Sequence, residues 1–483
     1  GLRHNREAPI VPGLNDPLSL PSSQSSPNTL RSPRSTTSPR DQESARGLVS
    51  SGIVQEVIGA NNLTILSNIT YAASLSERPK VLVVADKWAK YVKPTEKDVP
   101  QDHNGLQALM NAGSWRAALR LTQLLVTGTV QHPPHVVLQF KMCRIFAYIK
   151  LRLYKNATEE LSALGNLDEM THQYESYPSL YPGLQGSFVP FAFRLLHAEL
   201  PSYSGNVQQT LDLLYHLLSK CREQVLAAVP EGAPLPAAAA FSGLSPALLD
   251  KVFGPPPALP SSIEFDEMFP PTAWSPAPEA LRNDVDSWRH RENWVMFHIV
   301  AHLIQQKEYT LGIGLFEEML QRFPTDIVLL SCMGRFYLQI GHLVHAERFF
   351  DKVDNLATGR ERTVVGELNR GLLLVAQGKH VEAIGRFQAV LQVEPYHVAA
   401  TNNQAICLLY SCQLIKAMHV LEDLIQADPV RHINESVVFN LCSLYDLYSD
   451  MNVDKKTTLM KLVAQFASDG FDQSMLKLPF ANQ

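Results

Sequence analysis

The sequence predicts an all-α chain: a solenoid of stacked helix hairpins in two segments, preceded by a disordered tail. Three observations carry this. First, VEAIGRFQAVLQVEP, Val381 to Pro395, returns 34 residues later as IKAMHVLEDLIQADP, Ile415 to Pro429. Second, small, large and proline positions stay in phase between the copies, with Ala383, Phe387 and Pro395 answering to Ala417, Leu421 and Pro429. Third, composition changes near residues 50, 230 and 280. These changes divide the chain into a Ser/Pro-rich tail (1–50), a degenerate helical segment (51–229), a Pro/Ala-rich connection (230–280) and a regular repeat segment (281–483).

Within each copy the alanine and the large residue are four apart, so they share one helical face, and the proline falls where a helix must have ended. Gly371 and Ala405 mark the small position of a preceding helix, continued by Leu374 and Leu408. A small residue there lets the second helix approach closely. The unit is a helix hairpin of 34 residues and resembles the tetratricopeptide repeat. Upstream, Met333, Gly334, Tyr337, Ala346 and Phe350 repeat the pattern 37 residues before Gly371, with extra residues around Ala357 to Gly359. One unit earlier, Met296, Leu303, Phe316 and Pro324 fit, although Val300 and Gly312 stand where Gly and Ala are usual. NLCSLY (Asn440 to Tyr445) and TLMKLVAQFA (Thr458 to Ala467) supply a last pair, giving about five hairpins from Asp286 onward. A plain amphipathic bundle also spaces apolar residues three and four apart, but periodicity alone does not keep three residue classes in phase.

Towards the amino terminus the repeats are worn. LQALMNAGSWRAALRLTQLLV, Leu106 to Val126, reads as two amphipathic helices broken at Ala112-Gly113-Ser114, with Trp115 opening the second. Ile145 and Tyr148, then Ala157, Leu161 and Leu164, read as another hairpin, and Arg194 to Cys221 as a third. VLVVAD, Val81 to Asp86, is β-branched but has no second strand nearby, so it is expected to start or pack on a helix. The tail around PSSQSSPNTLRSPRSTTSPR has too few large apolar residues to offset the entropy of ordering. Its Ser-Pro pairs at Ser26, Ser32 and Ser38 resemble proline-directed phosphorylation sites, though such pairs also abound in any linker. In the connection, IEFDEMFPPTAW, Ile263 to Trp274, is acidic and aromatic, suited to docking on another surface or back onto its own solenoid.

Composition narrows the function. With 45% apolar residues in 483 the chain can bury large cores, and a net charge of -5 leaves no electrostatic footprint for nucleic acid or anionic membrane. Partners are expected to be proteins. There is no apolar run long enough to span a membrane. The six cysteines form no C-x-x-C and read as core thiols; the sequons at Asn62, Asn68, Asn156 and Asn434 read as chance matches in a cytosolic chain. No catalytic constellation is found. His298 and His302 are four apart, the spacing of a zinc pair, but the HExxH glutamate and an obvious third ligand are missing, so no metal is expected. Gly312-Ile-Gly314 lacks the strand and third glycine of a nucleotide site, and no cofactor is expected.

What remains is a surface. The first helices of a hairpin solenoid line its concave side, which here carries Val365, Leu368, Leu372, Val375, Ile406, Leu409 and Tyr410. Leu368 and Leu372 stand where adaptors of acidic chaperone tails need Lys and Asn, which argues against that role. An apolar groove suits a helix laid into it, and the same side chains can equally pack against the adjoining repeat. On the groove reading, charge at Leu372 or Leu409 breaks partner binding while helical content is kept.

The run TAWSPAPEALRNDVDSWRHRENWVMFHIVAHLIQQKEYTLGIGLFEEMLQRFP, with LLSCMGRFYLQIGHLVHAERFF after it and WRAALRLTQLL earlier, closely resembles a subunit of the trafficking protein particle complex, TRAPP, over residues 80 to 483. The resemblance implies a cytosolic, non-catalytic scaffold subunit of the type III complex, which tethers vesicles between endoplasmic reticulum and Golgi and contributes to autophagy. Implied partners are other TRAPP subunits, numbers 8 and 11 among them, and vesicle coat proteins. A mitotic role at kinetochores is also implied, and the tail is then the end of a longer disordered region. The alternative is a free-standing peptide-binding adaptor, which predicts a monomer whose groove takes one short ligand.

Overall fold

In-phase small and large residues dictate how two helices meet, and the hairpins follow from that rule. The structure, a computed structural model, describes residues 88, 90–128, 132–228, 285–448 and 453–478. Within these, eight hairpins follow one another. The first three pair α1 (His103–Asn111) with α2 (Trp115–Thr127), α3 (Pro134–Lys150) with α4 (Tyr154–Ser162), and α5 (Phe191–Tyr203) with α6 (Val207–Ala228). The other five pair α7 (Val285–Gln305) with α8 (Tyr309–Arg322), α9 (Ile327–Gln339) with α10 (Leu343–Leu356), α11 (Glu367–Ala376) with α12 (His380–Val393), α13 (Val398–Tyr410) with α14 (Leu414–Ala427), and α15 (Glu435–Tyr448) with α16 (Val453–Phe466). Each helix packs on the next in chain order, which makes the array an α-solenoid. Among the described residues there is no strand, only one antiparallel bridge between Gln173 and Ser187. VLVVAD, the Ser/Pro tail and IEFDEMFPPTAW lie outside the described residues.

The small positions act by sterics. A Cβ on Gly334 would stand 2.3 Å from the Phe350 ring, and one on Gly371 would stand 2.4 Å from the Phe387 ring. Both rings are fully buried, as are Ala346 and Ala383 on the same second helices. The extra residues after Ala357 form a short helix, Gly359–Glu361, and a π-helical turn, Arg362–Gly366, which leads straight into α11. That insertion lengthens the spacing to 37 residues without disturbing the hairpin on either side.

Seven of the turns inside hairpins share one closure. The second residue after the first helix has positive φ at Gly113, Arg152, Gly205, Lys307, Gly341, Gly378 and Cys412. The next N–H reaches back over the turn: Ser114 to Leu109, Leu153 to Tyr148, Asn206 to Pro201, Glu308 to Leu303, His342 to Tyr337, Lys379 to Leu374 and Gln413 to Leu408. This is the left-handed helix stop that satisfies otherwise orphaned carbonyls. Side chains cap several first helices in turn, with Asp102 accepting from Gly105 N–H, Asp326 from Leu329 N–H and Asn434 from Val437 N–H. Asn434, one of the sequon asparagines, is thus used as a helix cap.

The two helical segments meet through α6 and α7, and one buried cluster runs from Leu106 to Phe336 across both. An ion network reinforces the seam. Arg222 of α6 reaches Glu292 of α7 at 2.9 Å and Glu318 of α8 at 2.8 Å, while Arg322 reaches Glu292 at 2.7 Å and also pairs with Glu318. Because Glu292 is almost fully buried, these pairs compensate a desolvated carboxylate.

Gly371→Ala is expected to lower stability by about 1–3 kcal/mol, since the Phe387 ring must shift. Gly385→Ala, at an exposed site of α12 with open space around its Cβ position, is expected to raise it by about 0.5–1 kcal/mol. Urea titrations followed by circular dichroism check both.

Candidate functional site

Four of the seven expected groove residues are buried. Leu368 and Leu372 on α11 are 4% and 5% exposed and pack with Leu338, Phe350, Phe387 and Ala400, filling the seam among α9, α10, α12 and α13. Leu409 on α13 belongs to another cluster, with Met418, Leu421, Val438 and Leu441. Val365, in the π-helical turn, packs with Leu330, Val353 and Ala357. Val375, Ile406 and Tyr410 are half-buried. Tyr410 stacks on His380 with ring centroids 4.8 Å apart and planes at 18°. Burial pushes the Tyr410 phenol up to about 12 and the His380 imidazole below its usual range. The seven residues are thus divided among separate clusters, and the innermost of them hold hairpins together. Ser26, Ser32 and Ser38 lie outside the described residues.

First helices also carry a polar cross-link that apolar patterning passes over. Arg335 Nε donates to Asn369 Oδ1 at 3.0 Å, and Asn369 Nδ2 donates to Ser331 Oγ at 2.9 Å, all three buried. Asn440 Nδ2 donates to Asn402 Oδ1 at 2.8 Å across the next pair of hairpins. A polar residue recurring inside successive apolar first helices was the available signal. Apolar side chains are exposed on second helices instead: Leu311 on α8, Val344 on α10 and Val381 on α12, the last two 62% and 72% exposed. Val344 and Val381 each sit two residues before the small alanine, so the repeat register places them on the same outward face.

His298 and His302 do share a helical face, and their partner is Glu199 of α5. Its Oε1 is 2.6 Å from His298 Nδ1 and its Oε2 is 2.8 Å from His302 Nε2, with all three side chains buried. Among the described residues no group of three or more His, Cys, Asp or Glu is arranged to hold a metal ion. A lone glutamate within the apolar run of α5 marked this position in the sequence. Burial alone would raise the Glu199 carboxyl. The His298 charge, with hydrogen bonds from His298 and His302, outweighs burial and brings it from 4.5 to about 2. Five of the six cysteines are buried, and burial pushes Cys221, Cys407 and Cys442 up to about 12, so these thiols are core residues and not nucleophiles. No described helix is long and apolar enough to cross a membrane.

Two expectations follow. Leu372→Asp places a charge in a filled seam and is expected to cost at least ~3 kcal/mol, lowering helical content before any partner is added; circular dichroism and melting check it. Glu199 has a depressed folded pKa, so it adds stability above pH 4.5, and that stability is lost as pH falls from 4.5 towards about 2. Glu199→Gln is accordingly expected to flatten the acid limb over that window, measured as denaturation midpoints against pH.

No protein-family model matches the chain. Among curated proteins, it is 33% identical over 393 residues to trafficking protein particle complex subunit 12 of Mus musculus, covering 79% of this chain and 45% of that protein. The Homo sapiens protein of the same name is 32% identical over 393 residues, with 79% and 49% covered. The chain therefore spans about half the length of the curated relatives it matches. Similar solved structures include the APC/C hetero-tetramer Cut9-Hcn1, 14% identical with 84% of this chain and 82% of that one covered at a TM-score of 0.30. Yeast Tom70 is 12% identical, with 91% and 94% covered at a TM-score of 0.26. The fold is defined by the hairpin geometry itself. Over the matched residues the chain is a hairpin array of the tetratricopeptide-repeat type and is similar to trafficking protein particle complex subunit 12.

Proposed function

We propose that this chain is a non-catalytic scaffold subunit of a TRAPP assembly, working through protein contacts of its helical repeats. The observation that carries the reading is the 33% identity over 393 residues to a protein named as a subunit of that complex. The repeat architecture fits it, because stacked hairpins bury one another and leave a long surface for partners. In its finer form the reading places the chain in the type III complex, in vesicle tethering between endoplasmic reticulum and Golgi and in autophagy. The chain is then cytoplasmic, at the periphery of those membranes and at times in the nucleus. Its partners in that form are subunits 8 and 11 among others, together with vesicle coat proteins. A mitotic role at kinetochores, switched by phosphate on Ser26, Ser32 and Ser38, belongs to the same reading. Both helical segments, 51–229 and 281–483, offer surface. On the inner side the half-buried Val375, Ile406 and Tyr410 are the groove residues left to a partner, while Val344 and Val381 stand on the outer side.

The test is capture of the tagged full chain from cytosol, with bound proteins identified and quantified by mass spectrometry. TRAPP subunits are expected in near-stoichiometric amounts; chaperones or a single short peptide in their place would establish the free adaptor instead. The double variant Val344→Asp, Val381→Asp is expected to keep its helical content. If the outer face is used, it loses on the order of tenfold in recovered subunits; undiminished recovery assigns binding elsewhere.

A further inference from the structure

An ordinary repeat array has two free ends, each needing a polar capping repeat, because every hairpin touches only its neighbours. Here the first and last described hairpins touch each other. The residues that follow α16 run against the turns of the first two hairpins. Asp469 N–H donates to Gly113 O at 3.0 Å, and Asp469 Oδ2 accepts the Arg116 N–H at 3.1 Å. Gln465 Nε2 donates to Tyr91 O at 3.3 Å, and the Phe466 ring stacks on Tyr91 at 5.4 Å with Trp88 edge-on at 6.3 Å. The backbones are as close as they can be. A Cβ on Gly470 would stand 1.9 Å from Lys150 O, and one on Gly113 would stand 2.7 Å from Ser468 Cβ.

Arg152 is the unusual member of this contact. It occupies the left-handed position of the α3–α4 turn with φ 61°, as Lys307 and Cys412 do in two other hairpins, whereas Gly113, Gly205, Gly341 and Gly378 serve in four. A side chain with a Cβ is disfavoured there relative to glycine. What the arginine gains is distant in sequence. Its Nη1 donates to Asp472 Oδ2 at 2.7 Å and its Nη2 to Glu435 Oε1 at 2.8 Å, across 320 and 283 residues, and Glu435 Oε1 also accepts the Asp472 N–H at 2.9 Å. Lys93 approaches Asp469 at 3.5 Å on the same seam. Together with the α6–α7 junction, these contacts close the sequence of packed helices into a circuit.

We propose that the last hairpin and the first two hairpins cap each other through an Arg152–Glu435–Asp472 latch, so that the two ends of the array gain and lose structure together. A partner that stacks on either end must first break this latch.

The test is hydrogen exchange of the full chain. Arg152→Gly keeps the left-handed backbone and removes its strain, so a purely local effect would leave exchange unchanged or slow it. The latch predicts the opposite sign, a roughly threefold to tenfold faster exchange in peptides of 453–478 and of 103–127, the size expected of partly exposed ion pairs, with 367–427 unmoved. Unchanged or slower exchange in either end overturns the proposal. Phe466→Ala provides the reciprocal reading: faster exchange in 90–127, more than 300 residues away, supports it, whereas loosening confined to 453–478 sinks it. Should that variant not fold, Arg152→Gly decides alone.

Discussion

The regular hairpins of this array depend on a steric fit, the pressing of a large ring from one helix against a residue with almost no side chain on its partner. Gly334 under Phe350 and Gly371 under Phe387 leave no room for a single added carbon. That contact fixes the spacing of the two helices. The left-handed turn closes these two hairpins as it closes five others, and each hairpin packs on the next. Length is then added by repetition, and insertions such as Gly359 to Gly366 are tolerated where they fall between hairpins.

Such an array spends its apolar residues on itself. Leu368, Leu372 and Leu409 are buried between hairpins, whereas Leu311, Val344 and Val381, among other exposed apolar residues, project from second helices. Among the described residues, the apolar side chains still open to solvent are thus found on outer faces and half-buried edges. The buried polar groups act in the same direction. Arg335, Asn369 and Ser331, or Glu199 with His298 and His302, are costly to bury unless matched, and their matching specifies which helix lies beside which.

The circuit changes the mechanical character expected of the array. Stability in an open solenoid is a sum of neighbour terms, so its ends fray. Here the aromatic contact of Phe466 with Tyr91 and Trp88 and the ion pairs of Arg152 give the ends partners. The same residues add little that periodicity can detect, since ion pairs carry no helical spacing.

By itself the sequence determined the class of fold, the hairpins from Met296 onward, the break at Ala112 to Ser114 and the worn hairpins at Ile145 and Arg194, because each rests on residues three to eight apart. The likeness to a trafficking protein particle complex subunit was also legible, in runs such as LLSCMGRFYLQIGHLVHAERFF. It left open whether Leu368, Leu372 and Leu409 face a partner or a neighbour, because a helix's periodicity shows that a face is apolar but not what covers it. Only the tertiary structure decided that, along with the carboxylate that His298 and His302 share and the meeting of Arg152 with Glu435 and Asp472. These are contacts between residues about 100 to 320 apart, and their energies depend on burial and distance, which exist only once the hairpins have stacked.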